Sequence, residues 1–314
     1  MNGLCLGFDT SNYTTSAAVF GEGTAENRGK LLTVPEGALG LRQSDALFQH
    51  VKRLHLMTEQ LRVDGVMGEI AAVGASTSPR EVEGSYMPCF LVGEGEGRAL
   101  AAALGVPFYP CSHQQGHIAA AAWSAGREDL LDRPHLAWHL SGGTTELLRV
   151  EPEGHTVRAE VVGGTSDIAA GQLIDRTGVL LGLPFPAGKA LDALYSEADA
   201  ALDYKVKLNG LTFSLSGMEN KVKELLEKGE KPANIARFTI ATVVDVVHRA
   251  TVEAQNRWPG LPVLCSGGVA SNRQIRYALT EFCQAVFAQP QYSTDNALGV
   301  AILAHRALER EAGR

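Results

Sequence analysis

The sequence predicts an α/β protein built from two copies of one domain, and three observations carry that prediction. A β-hairpin opens the chain and is followed by alternating helices and strands, the pattern of an α/β layer. The same order begins again near His135. Each half also starts with a tight turn rich in Ser, Thr or Gly between two strands, with a Thr-Thr pair entering the second: DTSNYTTSAAVF (9–20) and LSGGTTELLRV (140–150). Such turns expose backbone N–H groups and hydroxyls without bulky side chains, which suits close approach of an anion. Either turn alone reads first as an ordinary hairpin; found at the start of both halves, they point to a cleft where two similar domains face one ligand.

In the first half, LCLGFDT (4–10), TSAAVF (15–20) and KLLTV (30–34) have the apolar, β-branched character of strands. Ser44 to Arg62 has helical periodicity, AAVGAST (71–77) is a strand, Gly93 to Leu104 a helix and VPFYPCS (106–112) a short strand. The second half gives two strands in HLAWHLSGGTTELLRV (135–150) and a third in TVRAEVVGG (156–164). Helices are expected from Asp167 to Leu181, Ser214 to Leu226 and Pro232 to Asn256. They are followed by the strand PVLCS (262–266), a helix from Asn272 to Cys283, the strand AVFA and a last helix from Asp295. The expected division is residues 1–125 and 126–295, with the terminal helix 296–314 packing back on the first domain.

Composition agrees. The 314 residues are 45% hydrophobic and 20% charged, enough apolar material for about two domains of about 150 residues each. No apolar run reaches the roughly 18 residues that span a bilayer, and Met1 leads straight into a strand without a basic leader or cleavage site. A soluble cytoplasmic protein with no membrane partner is expected. Cys5, Cys89, Cys111, Cys265 and Cys283 lack CxxC spacing and read as reduced core thiols. A net charge of −7 argues against a free-standing, non-specific nucleic-acid binder, since neutralising phosphates needs clustered cations. The Lys-rich stretch 205–231 is interleaved with Glu219, Glu224, Glu227 and Glu230 and reads as a solvated helix face.

Two more glycine-rich elements belong to the second half. In CSGGVASN (265–272) a strand ends, Gly267 and Gly268 turn the chain, and Ser271 or Asn272 caps the next helix, whose N-terminus then faces the strand end. In LGLPFPAGKAL (181–191) the prolines stop one helix and Gly188 opens the next.

His113 and His117 in CSHQQGHIAAAAW lie four apart on an expected helix, where side chains i and i+4 share a face and can hold one cation. Nine histidines produce roughly a quarter of one such pair by chance, so spacing alone also leaves a pair of ordinary histidines open. His135 and His139 sit on a strand, about 13 Å apart, and cannot share a metal. A third ligand would be a carboxylate from elsewhere, and Asp295 in STDNALGVAIL is the candidate, though as a residue it reads first as a helix N-cap. HExxH zinc proteases place a general-base Glu after the first His; here that residue is Gln114, which disfavours peptidase chemistry.

Taken in order, DTSNYTTSAAVF, HQQGH, SGGTT, DIAAGQLIDRTGVLLGLPFPAGKAL, FSLSGMENKV, CSGGVASNR and STDNA resemble the TsaD-type tRNA threonylcarbamoyladenosine transferase family, across Gly7 to Asn296. The resemblance implies the actin and sugar-kinase superfamily (ASKHA) fold, two α/β domains around a nucleotide cleft. It also implies transfer of a threonylcarbamoyl group from its adenylate onto N6 of the adenosine next to the anticodon of tRNA. By position it makes His113, His117 and Asp295 ligands of one divalent metal, iron or zinc. The turn Leu140, Ser141, Gly142, Gly143 and Thr144 falls on the phosphate or carbamoyl side, and Asp175, Gly188 and Asn272 on the ribose and adenine. Asp9, Ser11 and Thr14 lie in the first, phosphate-side turn. No catalytic residue is assigned. The implied ligand is an adenine nucleotide or acyl-adenylate, and the implied partners are tRNA and accessory proteins of the same pathway.

The chain departs from the family pattern. Tyr13 and Thr14 stand where ETSCDET has two acids, Gln115 replaces the Glu of HxEGH, Thr144 the His of SGGHT, and Ile168 and Gln172 stand at acidic positions of DDAAGEAFDK. These losses leave three alternatives beside the tRNA transferase. The first is a paralogue that uses an acyl-adenylate or nucleotide on another acceptor. The second is an inactive scaffold or regulator of the true enzyme, against which the retained HxxxH and Asp295 count. The third is a small-molecule kinase with Asp9 as base, which gives the His pair no use.

Overall fold

The computed structural model describes residues 3–11, 13–34, 41–202 and 204–313. Met1, Asn12 of the first turn and Arg314 of the expected last helix lie outside the described residues. The chain forms two compact units, one of residues 1–133, 151–159 and 291–314, the other of 134–150 and 160–290. Residues 126–133, assigned above to the second domain, group with the first unit. Leu130 and Leu131 are fully buried there, and Asp132 pairs with Arg306 and Arg310 at 2.7 Å each.

In the first unit β1 (Leu4–Asp9), β2 (Thr14–Gly21), β3 (Thr24–Leu31), β4 (Ile70–Ser78) and β5 (Phe108–Ser112) form a sheet in the order β3-β2-β1-β4-β5. β1 is central and buried along its whole length, which is why it reads as an uninterrupted apolar run. β3 is an edge strand of polar sequence, TAENRGKL. The expected strand at 30–34 is therefore displaced: the pairing with β2 runs from Thr24 to Leu31, and an edge needs no apolar alternation to reveal it. β4 is parallel to β1 and β5 to β4, so the carboxyl ends of these three strands share one edge. Helices α1 (Gln43–Val63) and α2 (Phe90–Leu104) cover this sheet, with Leu54 and Leu61 packed on Leu6, Phe8 and Val73. Helix α3 (His113–Ser124) starts directly after β5.

The second unit follows the same plan. It contains β6 (His135–Leu140), most of β7 (Thr145–Glu153) and β8 (Thr156–Thr165), then α4 (Ala170–Leu180) and α5 (Gly188–Tyr195). Next come the two-residue strands β9 (Leu208–Asn209) and β10 (Thr212–Phe213), α6 (Ser216–Glu227), α7 (Pro232–Arg257), β11 (Val263–Ser266), α8 (Arg273–Cys283) and β12 (Val286–Phe287). The sheet order is β12-β11-β6-β7-β8-β10-β9. Its stretch β8-β7-β6-β11-β12 repeats the order of the first sheet: a three-strand meander, then two strands parallel to the first. The expected duplication is thus present in the topology, while β9 and β10 are too short to carry a periodic signal. Trp138, fully buried, donates its indole N–H to Thr251 Oγ1 at 2.9 Å and anchors α7 on the sheet. All five cysteines are buried and free.

Helix α9 (Leu298–Ala312) returns to the first unit and lies against β1, β4 and α3. It starts three residues later than expected. The N-cap is Ala297, and the N–H of Leu298 donates to Asn296 Oδ1 at 3.1 Å, so the cap role read for Asp295 is corrected. The crossing of α3 and α9 is very close. A Cβ on Gly299 would lie 1.8 Å from the carbonyl oxygen of Gly116, and one on Gly7 2.6 Å from the backbone nitrogen of Ala301. No side chain fits at either place. Gly299→Ala should cost about 1–3 kcal/mol through overpacking, read as a lowered urea midpoint; an unchanged midpoint would show that the helices can part without penalty.

Candidate functional site

The carboxyl edge of β1, β4 and β5 delivers the first group of polar side chains. Ser112 caps α3: its Oγ accepts from the N–H of Gln115 at 3.2 Å, and Gln115 Oε1 accepts from the N–H of Ser112 at 2.8 Å. This capping box fixes the first turn of α3, which places His113 and His117 on one face with ring centroids 4.3 Å apart. Asp295, in the segment just before α9, closes on both. Its Oδ1 lies 3.2 Å from His117 Nε2 and 3.6 Å from His113 Nε2. One ligand atom from each of the three residues can be chosen so that all lie within 4.8 Å of one another, and Thr14 Oγ1 lies 3.4 Å from the other oxygen of Asp295.

Asp9, at the end of β1, is fully buried behind this group. His113 Nδ1 lies 3.1 Å from its Oδ2, Ser11 Oγ donates to that same oxygen at 3.0 Å, and Ser76 Oγ donates to Oδ1. Of the first-turn residues, then, Asp9 and Ser11 bond to each other beneath His113, and Thr14 faces Asp295. Burial alone would push the His113 imidazole down; the charge and hydrogen bond of Asp9, with the charge of Asp295, outweigh it and raise it to about 9. Without a metal the ring is therefore protonated at neutral pH between two carboxylates, and a cation entering there must displace that proton. The donor set, two imidazoles and one carboxylate, suits zinc or iron with positions left open.

The second unit presents its candidates at the carboxyl ends of β6 and β11, paired in parallel from Val263–Leu136 to Ser266–His139. The turn 141–144 is closed by Ser141 N–H to Thr144 O at 2.8 Å and Thr144 N–H to Ser141 Oγ at 3.1 Å. Gly171 of α4 packs on it so tightly that a Cβ there would lie 2.5 Å from the Cα of Gly142. A Cβ on Gly142, Gly143, Gly188 or Gly268 would meet nothing within 4 Å. Asp175 Oδ1 accepts from the N–H of Ala187 at 2.8 Å, tying the Pro-rich loop to α4. Asn272 caps α8 through Oδ1, at 3.0 and 3.2 Å from the N–H groups of Gln274 and Ile275, and donates from Nδ2 to Asp192 at 3.0 Å. Its cap role was legible in the sequence; Asp192, its partner, was not, since nothing local marks a carboxylate eighty residues away.

The residues that depart from the family pattern have partners of their own. Gln115 and Gln172 both stand at the third position of a helix and return a side-chain oxygen to the N–H of the residue preceding it, Ser112 and Ala169. Glutamine and glutamate do this equally well. Gln115 also donates to the carbonyl of Val157 at 2.7 Å, and Ile168 packs against the second core. Around the Lys-rich stretch, Lys221 and Lys223 pair with Glu224 and Glu219 at 2.9 Å, as a solvated face does.

Solved structures define the class. HypF of T. kodakarensis aligns over 99% of this chain and 48% of its own with a TM-score of 0.64 at 15% identity. The (R)-2-hydroxyglutaryl-CoA dehydratase component A of Acidaminococcus fermentans covers all of both chains with a TM-score of 0.53 at 17% identity. The fold is that of the actin and sugar-kinase superfamily. Sequence narrows it further. The profile of the family described as TsaD, tRNA N6-adenosine threonylcarbamoyltransferase, matches residues 44–302. A tRNA N6-adenosine threonylcarbamoyltransferase of Thermus thermophilus is 32% identical, covering 97% of this chain and 93% of its own, and that of Geobacillus kaustophilus is 31% identical over 95% and 89%. The chain belongs to the tRNA N6-adenosine threonylcarbamoyltransferase family, whose members are transferases of tRNA modification. No helix among the described residues is long and apolar enough to cross a membrane.

Thr15, next to Thr14, bonds His50 Nδ1 at 2.8 Å, and burial lowers the His50 pKa from 6.5 to about 4 against the opposing charge of Asp9. His50 is thus neutral in the fold and takes a proton more readily when unfolded. Its contribution, about 3 kcal/mol at most, is complete above pH 6.5 and lost as pH falls toward 4. Urea midpoints at pH 7.5 and 5 should differ accordingly, and His50→Gln should flatten that difference; an equal slope in the variant would assign it elsewhere.

Proposed function

We propose that this chain transfers a threonylcarbamoyl group from its adenylate to N6 of the adenosine next to the anticodon of tRNA, using one divalent metal, iron or zinc, held by His113, His117 and Asp295. The observation that carries the reading is the meeting of those three side chains, drawn from α3 and from a segment 178 residues further on. A metal in that set supplies a Lewis acid for a carbonyl or phosphate oxygen. His113 presents a neutral nitrogen once it has given up its proton, and Thr14 steadies Asp295.

The remaining tasks fall to the second unit. Gly142 and Gly143, with no Cβ in the way, let phosphate oxygens reach the backbone N–H groups of the turn. Asp175, Gly188 and Asn272 border the ribose and adenine in this reading, with the two polar side chains already held by Ala187 and Asp192. Pre-formed groups of this kind lose little freedom on binding. The helix-capping roles of Gln115 and Gln172 favour retained transfer over an inactive scaffold, because two of the missing acids stand where their loss leaves the backbone bonds intact. Cytoplasmic location, tRNA and accessory proteins of the pathway complete the proposal.

Three measurements test it. Elemental analysis should find about one zinc or iron per chain in the purified protein and little in His117→Ala; equal contents would remove the metal site. Calorimetry should detect adenine nucleotide binding that Gly143→Val weakens at least about tenfold, roughly 1.4 kcal/mol, with an unchanged melting temperature because the new side chain enters open space. Equal affinity in the variant would move the nucleotide away from this turn. In a bacterium depleted of its own transferase, with its accessory proteins present, this chain should restore the threonylcarbamoylated nucleoside in tRNA hydrolysates. Failure of a folded, metal-loaded protein to do so would favour another acceptor.

A further inference from the structure

We propose that Asp9 is the positioning residue of the metal centre: its carboxylate fixes His113 as the Nδ1–H tautomer and turns Nε2 toward Asp295 and His117. This rests on reading those three residues as metal ligands. A carboxylate oxygen bonded to an imidazole accepts, so His113 Nδ1, 3.1 Å from Oδ2 and 3.2 Å from Oδ1, must be the donor. The lone pair available to a cation is then on Nε2. That nitrogen is the one 3.6 Å from Asp295 Oδ1, the same oxygen that lies 3.2 Å from His117 Nε2.

Asp9 is itself held from two further sides. Ser76, at the end of the neighbouring strand β4, donates to Oδ1, and Ser11 donates to Oδ2 at 3.0 Å. With three donors around it and no exposed surface, the carboxylate cannot turn toward a phosphate or a substrate amine. Its place in the first turn is therefore explained by what lies above it, a ring whose direction it sets. A carboxylate behind a ligand imidazole orients the ring and makes it a better donor.

The test uses cobalt(II) as the probe. Metal-free wild-type protein is titrated and followed by visible absorption, with affinity set by chelator competition, beside Asp9→Asn and His117→Ala. The neutral isostere should bind cobalt about ten- to a hundredfold more weakly while its metal-free form stays folded by circular dichroism. Long-range ¹H–¹⁵N spectra of the zinc-loaded wild type read the tautomer without any substitution, and His113 should carry its proton on Nδ1. Unchanged cobalt affinity in folded Asp9→Asn, or a His113 unprotonated at Nδ1, would overturn the role of Asp9 and leave the metal centre standing. Absent binding by the wild type, or equal binding by His117→Ala, would overturn the metal reading and this role with it. Should Asp9→Asn fail to fold, the spectra decide alone.

Discussion

Much of the first unit hangs on the contact between α3 and α9 at Gly116 and Gly299. Two helices normally pack with their axes about 8–10 Å apart, held off by side chains. Here backbone meets backbone, with no room at Gly299 for even a methyl group. That closeness lets Asp295, just before α9, reach the imidazoles at the start of α3. It also seats α9 on β1, where Gly7 again offers no Cβ. The histidine pair, the carboxylate and the central strand are thus brought together by the absence of side chains at Gly299 and Gly7.

Around this crossing the two units repeat one plan and use it differently. In each, the meander ends in a turn and the carboxyl ends of the parallel strands form an edge. The first unit fills that edge with acids, hydroxyls and imidazoles, and most of them bond to one another. The second leaves glycines there. A polar edge already satisfied by its own side chains is suited to fixing a cation, while an edge of bare backbone offers N–H groups to an anion. The same β-topology therefore presents two chemically different edges through the residues placed at its carboxyl end.

The repeated architecture was legible because central strands buried on both faces read as apolar runs, and because the helix start at Asn272 carries its capping residue beside it. What was not legible depends on edges and on long range. The polar β3 has no alternation to betray it, and the two-residue β9 and β10 have no period at all. Asp295 was found by analogy with relatives. Its own neighbourhood pointed to a helix cap, a position that falls at Ala297. Asp9 was visible as a residue, but its partners His113 and Ser76 come together only through the parallel pairing of β1, β4 and β5, which sequence spacing does not encode. Gln115 and Gln172 read as lost acids, and only their capping bonds show what they do.

The late position of α9 also bears on the life history of the molecule. A chain leaving the ribosome would complete β1 to β5 and α3 long before residues 291–314 emerge, so for most of synthesis the two histidines would lie on an unfinished surface that lacks its closing carboxylate and its covering helix. The meeting of His113, His117 and Asp295 is then a late event that follows completion of the first unit. A chain truncated before Asp295 would lack α9 and leave bare the face of β1 and β4 that this helix covers.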